Sequence, residues 1–557
     1  MLLLVKEGCV WNNVGVQGLS ESQRELLDAE SVTGHLLPAG SVFAFLAAHR
    51  LALFPASMFS DLFPTDRGRP SIPPDVVASV LVLQSLHGLS DRQAAEAVLF
   101  DLRWKAACGL AITDTSFHPT TLTYWRKRLA ASDSPNRIFD ALKAVVVATG
   151  VLKAKTRRAL DSTVLDDAVA TQDTVTQLVA AIRRVGRDVP GGAEAVTALR
   201  STVNYAQPGK PDIAWDDRAA QRQLVDTLVR DALSVLAALT SNDTTSGHDR
   251  SGEVDAGGGN VAVPPPAAEQ ALALLALIAG QDVEWIEDSN APGGGRWQIA
   301  RQVAHDRVIS TVDPGTRHAH KTRERRHDGF KAHVVAEPDT GIITAVSLTK
   351  ATGPGTGDAA AGAALLATDD TFTAPGEVLA DSAYGTGEML ADLAEAGHEA
   401  VIKPWPIRPA VPEGFSIDDF TVDHQQQSVT CPAGVTAGFT VKTRIAKFGT
   451  ACASCPFLDL CTTSPAGRSV TVNVHHQLQR AHRSRWRHDG ALRAIYRAHR
   501  PMIERTIARI TTQFRKVRYR GVAKNDAALH LRATAINLRQ LTAHGLTPIS
   551  TGWALTG

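Results

Sequence analysis

The sequence predicts an α/β protein in several domains: a mixed sheet with helices, preceded by an all-α domain and interrupted by two insertions. Three observations predict this. Helical patterning with Pro and Gly boundaries dominates the first 150 residues. Short apolar runs alternate with helical segments over 327–405. Two stretches of foreign composition interrupt them, one polar and Gly-rich, the other holding four of the six cysteines. A chain of 557 residues suits three or four domains, and 44% hydrophobic residues are enough for ordinary cores.

The N-terminal domain, 1–150, begins with an apolar helical stretch to residue 56. In "RGRPSIPPDVVASVLVLQSLHGLSDRQAAEAV", Pro73 and Pro74 suit a helix start, Gly88 a stop and Ser90 the next cap. A third helix, Thr120–Ser132, carries Trp125, Arg126, Lys127 and Arg128. Short helices of which the last is basic read either as a helix-turn-helix that touches DNA or as a bundle with a solvated basic face.

"RRALDSTVL" reads as a short strand with Asp161 at its end, within 151–167. Residues 168–315 form a helical insertion whose tip, 241–266, is rich in Gly, Ser, Asp and Pro and is expected to be disordered. The segment 316–424 resumes the sheet. Phe330–Ala336 and Ile342–Leu348 form a hairpin around "PDTG", followed by a helix from Asp358 and a strand that ends at Asp381. A helix, "TGEMLADLAEAG", and a strand, "EAVIKP", come next. The cysteine-rich insertion is 425–467, and 468–545 returns to the core with a strand, "RSVTVNV", and helices.

Asp161 and Asp381 each end an apolar run and precede a serine. Alone, such an aspartate is a turn former or cap. Two of them on neighbouring strands would bring like charges together, which is unfavourable unless a cation shares them. Hard divalent ions take carboxylate oxygens and substrate phosphates, and a pair of them can clamp both oxygens of a phosphoryl displacement. Such a site wants a third acid. Glu504 adjoins the stripe Ile503, Ile507, Ile510 and Phe514, and Arg500 is placed four residues earlier to pair with it. The bland alternative is a surface ion pair.

These residues carry a family resemblance. "ALDSTVL", "GFKAH", "LADSAYGT" and "RPMIE" occur in the order found in bacterial insertion-sequence transposases of the DDE class, in the group with an N-terminal helical domain. Asp161 and Asp381 are 220 residues apart, Asp381 and Glu504 123. The resemblance implies an RNase H-like catalytic core. It also implies a triad, Asp161, Asp381 and Glu504, holding two Mg²⁺ (or Mn²⁺) ions, and cleavage and strand transfer at the inverted-repeat ends of an element. The related Tyr-x2-Arg-x3-Glu-x6-Lys signature is only partly kept. Arg500 and Glu504 fit, but Arg497 holds the Tyr position beside Tyr496. Thr511 holds the Lys position, with Arg515 and Lys516 one turn on.

Cys452-x2-Cys455 has the spacing of a metal knuckle, and Cys431 and Cys461 complete a set of four. Four thiolates satisfy one tetrahedral Zn²⁺. One alternative is a disulfide bridge, which rarely persists in the cytosol, and the other is four unmetallated thiols; Cys9 and Cys108 stand alone.

Net charge is +1, yet between Arg480 and Arg520 thirteen basic residues face two acids. That run, including Arg483, Arg485, Arg487, Arg497 and Arg500, reads as a track for DNA phosphates. A second basic run, 317–333, leads into the hairpin, where Lys331 and His333 are candidates to reach a scissile phosphate; His333 reads equally as a packing residue. No apolar run has the length of a membrane span and the N-terminus lacks signal-peptide features, so a cytoplasmic, nucleoid-associated protein is expected. The expected partners are double-stranded DNA, both terminal inverted repeats and target, and a second copy of the chain, at least a dimer, to synapse two ends. The rival readings are a metal-dependent nuclease without strand transfer and an inactive DNA-binding relic.

Overall fold

The computed structural model describes residues 16–20, 27–64, 68–241, 267–289, 293–304, 306–320, 324 and 326–556. The expected disordered tip lies outside these residues apart from Ser241, and so does Cys9.

The N-terminal domain is helical as its boundary residues direct. Helix α1 (Pro74–His87) starts with Pro at its first position and stops at Gly88, whose φ of 67° is the left-handed conformation that glycine tolerates. It is buried nearly all round, as the central rod of a bundle must be. Helix α2 (Asp91–Phe100) opens with a Ser90–Gln93 capping box. Helix α3 (Thr120–Ala131) buries Leu122, Trp125 and Leu129, and α4 (Arg137–Thr149) closes the bundle.

Six strands form the central sheet: β1 (Arg157–Asp166), β2 (Arg317–His320), β3 (Arg326–Ala336), β4 (Ile343–Lys350), β5 (Glu377–Ala380) and β6 (Glu399–Ile402). Their order is β4-β3-β1-β5-β6. The β4-β3-β1 half is antiparallel and the β1-β5-β6 half parallel. Gly329 pairs with Asp166 on one side and Arg317 on the other, so β2 extends the edge that β4 occupies.

The strands alternate between two cores, as a two-sided sheet requires. Leu160, Val335, Val378 and Ile402 meet α5 (Asp358–Ala367) and α6 (Gly387–Glu395) on one face. Ala159, Val334, Leu379 and Val401 meet Ile503, Ile510, Leu529 and Ile536 on the other. The latter come from α8 (Gly490–Phe514), which follows α7 (His476–His488), and from α9 (Val522–Ala543). Helix α9 also gives Ala535, Leu538 and Leu541 to the N-terminal bundle. One helix thus joins two cores through two of its faces.

Arg158 and Asp369 form a wholly buried ion pair at 2.8 Å under this sheet, with Thr344 and Thr371 also bonded to the carboxylate. Asp369→Ala strands the guanidinium and is expected to cost about 3–5 kcal/mol, read as a lowered midpoint in urea.

Three expectations change. Asp161 does not end its strand but stands inside a ten-residue one. The insertion is not purely helical: its helices pack against a hairpin, Val283–Glu287 with Gly295–Ile299. The strand of "RSVTVNV", Ser469–Thr471, pairs with Ile445–Lys447, inside the cysteine-rich module rather than in the central sheet. Among the described residues no single helix is long and apolar enough to cross a membrane.

Candidate active site

Strand register brings the two aspartates together. Arg157, Arg158 and Ala159 pair with Glu377, Val378 and Leu379, an offset of 220, which is the spacing between the aspartates. The pairing ends two residues before Asp161 and Asp381, and both aspartates line one cleft just beyond it. Strand β5 stops at Ala380 while β1 runs on to Asp166, so the second half of β1 has an open edge. A cleft of about 480 Å³ lies along it, lined by Asp161, Asp381, Asp358, Lys331, Thr511 and Arg515 among others. Asp381 also caps the turn that follows, accepting from the Ala383 N–H at 2.9 Å, so the bland reading of that residue holds alongside its place in the cleft.

By the alternation of β1 and β5, Asp161 and Asp381 point to the α8 face, beyond the hydrophobic residues Ala159 and Leu379. Arg500 of α8 meets them there, its Nη2 3.0 Å from Asp161 Oδ2. Arg500 therefore does not serve Glu504, the pairing expected from spacing four; it is buried and turned to the sheet. Its Nε and Nη1 have no hydrogen-bond partner. Burial pushes the Asp161 carboxyl up, against the pull of Arg500, and nearby Asp381 adds to the rise.

Glu504 is exposed and does not line the cleft. Its helix face is nevertheless the one turned to the aspartates. Tyr496, Arg500, Glu504, Thr511 and Arg515 fall within about 100° of one another at 3.6 residues per turn. Arg500 contacts Asp161, and Thr511 and Arg515 line the cleft, so Glu504 sits midway along a stripe whose two ends touch it. Of the two cations one turn beyond the Lys position, Arg515 is the one at the cleft.

On the other face of the sheet is a cluster that the motifs did not reveal. Ser162 donates to Asp358 at 2.6 Å, and Lys331 Nζ lies 3.2 Å from the same carboxylate. Asp358 begins α5 after the glycine-rich turn 353–357, which carries no metal or nucleophile signature. His333 lies beneath, buried. Its Nε2 is 3.0 Å from the Thr349 hydroxyl, and burial holds its pKa down to about 4. It is a packing residue, whereas Lys331 faces the cleft.

Other expected contacts resolve differently. Trp125 is in the bundle core against Phe59 and Phe63. Arg126 is held by Asp91 and Gln84 and lies over Tyr519, so it braces the bundle instead of facing solvent. Lys127 and Arg128 are exposed. Arg483 makes two bonds to Asp418, at 3.1 and 2.6 Å. Arg485 bonds Glu399 and Arg487 approaches Asp418. These three tie α7 to its neighbours, and the track is weaker there than a bare count implies. Arg497 is exposed.

Cys431, Cys452, Cys455 and Cys461 line one small pocket with Phe415, Phe448 and Phe457. Burial raises the Cys461 thiol, and the other three cysteines add to the rise. Among the described residues no group of three or more His, Cys, Asp or Glu side chains is drawn together as a metal-ligand set. The same holds for the three acids of the expected triad, because Arg500 occupies the space beside Asp161 and Glu504 stands off the cleft.

Comparison with known families meets this geometry at both ends of the chain. Residues 35–128, the N-terminal helices, match the family model described as Transposase domain (DUF772). Residues 430–542, from the cysteine module through Glu504 to the end of α9, match the model described as Transposase DDE domain. No curated protein and no solved structure matches the chain. Over these two stretches the chain is similar to transposases, the second of them to the DDE domain.

Proposed function

We propose that the protein is a DNA transposase that cuts and rejoins DNA at the inverted-repeat ends of its element. The observation that carries this reading is that Asp161 and Asp381 line one cleft at the open edge of β1, where Arg500 of the helix that bears Glu504 reaches Asp161. The strand order β4-β3-β1-β5-β6, antiparallel then parallel, with helices on both faces, supports an RNase H-like core. Asp161, Asp381 and Glu504 would hold Mg²⁺ or Mn²⁺ through their carboxylate oxygens once Arg500 gives up Asp161 and Glu504 turns into the cleft. The bound ions would supply a nucleophile at neutral pH and neutralise charge on the phosphate. Residues of the chain do the rest. Lys331 and Arg515 sit at the cleft to hold phosphate oxygens, and the exposed Lys127, Arg128 and Arg497 would contact the DNA backbone. Cleavage is attack of water on phosphorus with loss of the 3′ oxygen. Transfer is attack of the freed 3′-hydroxyl on a second strand, and no enzyme–DNA bond is formed in either step. Cys431, Cys452, Cys455 and Cys461, which line one pocket, would supply the thiolates for one structural Zn²⁺. Synapsis of two ends calls for at least a dimer, acting on nucleoid DNA in the cytoplasm.

Incubating purified protein, Mg²⁺, end-bearing duplex and a supercoiled target tests this. Covalent joining of end DNA to target is expected. Cleavage without joining would support the nuclease instead, and neither reaction, despite binding, the relic.

A further inference from the structure

The insertion between Asp161 and β2 meets the core across a second, larger cleft of about 920 Å³. One wall is the insertion's own: the helix Thr174–Asp188 brings Arg184 and Arg187, and the helix Ala267–Gln281 brings Leu277. The opposite wall is the segment that joins α8 to α9, with Arg520, Gly521 and Lys524. Six basic residues line the cleft against two acids, Asp188 and Asp313. Arg184 and Arg187 share Asp188, and Arg317 and Lys350 share Asp306. Arg520 and Lys524 are exposed, and no acid among the described residues is bridged to either. They stand at the start of α9, whose first turn has no side-chain cap and adds the partial positive charge of a helix N-terminus.

A short piece of chain links this cleft to the candidate active site. Arg515 lines the first cleft and Arg520 the second. Five residues span at most about 17 Å, which is about five base-pair rises of 3.4 Å. A duplex whose scissile phosphate lay at Asp161 and Asp381 would carry its neighbouring phosphates past Arg520 and Lys524.

We propose that two helices of the insertion, Thr174–Asp188 and Ala267–Gln281, form a DNA clamp: with the 515–524 segment they make a cleft for the phosphate backbone of duplex DNA within about five base pairs of the scissile phosphate. This rests on the transposase reading above. A protein partner is the less favoured occupant, because six cations against two acids line the cleft and a short piece of chain links it to the candidate active site.

The test uses the full chain with Arg187→Ala, Arg520→Ala and Lys524→Ala combined, and separately Leu277→Glu, which keeps every cation and adds an acid to the wall. The probe is a labelled element-end duplex, bound at several salt concentrations and footprinted with hydroxyl radicals. For the triple variant the slope of log K against log salt is expected to flatten by about 0.9 for each phosphate no longer neutralised. Protection should vanish over the few base pairs beside the cleavage point while the rest of the footprint stays. Leu277→Glu should lose the same patch. Wild-type slope and footprint in both variants would overturn the clamp while leaving the transposase reading intact. A wild-type chain that binds no duplex would overturn the transposase reading itself.

Discussion

Asp381→Ala is expected to abolish cleavage of end DNA, a loss of roughly 10³-fold or more, the scale at which a single preorganised electrostatic group acts on a phosphoryl or acyl transition state. It should leave folding and DNA binding nearly untouched. The Asp381 side chain accepts one bond, from the Ala383 N–H in the half-buried turn that follows it, and no cation among the described residues is bridged to it. Asp161→Ala should abolish cleavage too, but at a cost in stability. Its removal leaves the Arg500 guanidinium buried without its ion-pair partner, a change of about 3–5 kcal/mol. Asp161→Asn keeps an oxygen for Arg500 and should recover much of that stability with no activity. Glu504→Ala, exposed on α8, should lose activity with wild-type melting behaviour. Cleavage assays and thermal melts on the same four preparations separate these outcomes. Robust cleavage by any variant would remove its residue from the site. Equal destabilisation by all would show that they act through the fold.

Arg500 shows how far the sequence can be read. Its spacing from Glu504 is visible there, and spacing four on a helix does favour pairing. The contest is decided by something the helix alone does not contain: β1 passes beneath α8 and offers a buried carboxylate, where the guanidinium is screened far less than at the exposed rim. The aspartates are legible for the opposite reason. Alternating apolar residues give each strand its two faces, and the separation of 220 is the strand register itself. Asp358 is hidden in the sequence because it follows glycines and begins an ordinary helix; only the packing of α5 against β1 and β3 sets it beside Ser162 and Lys331. The arginines of α7 are legible as charge but not as structure, since their acids, Glu399 and Asp418, are 86 and 65 residues away in sequence. Trp125 misleads because an aromatic among three cations looks like a DNA-reading surface, while the helix period turns it inward with Leu122 and Leu129.

Cys452→Ser or Cys455→Ser is expected to release zinc from about one ion per chain to none and to unfold the module 415–472 while the central sheet persists. The module's core is eight buried side chains, among them Phe420, Val429, Phe448 and Val472, with strands of three residues each. So small a core rarely holds a fold without a staple, and a structural zinc contributes folding energy directly, about 10–16 kcal/mol in small peptides at pH 7. The consequence reaches beyond the module. Arg480 bonds the carbonyls of Asp418 and Phe420, and Arg483 is fixed on the Asp418 carboxylate, so a melted module frees cations on α7. Chelation or either substitution should therefore expose 415–472 to protease, remove a low-temperature transition from the melt, and raise nonspecific DNA affinity with a steeper salt dependence. Elemental analysis, limited proteolysis and binding isotherms read the three effects. A zinc-free protein with four freely reactive thiols and an intact module would show that Phe420, Phe448 and their neighbours hold this fold unaided.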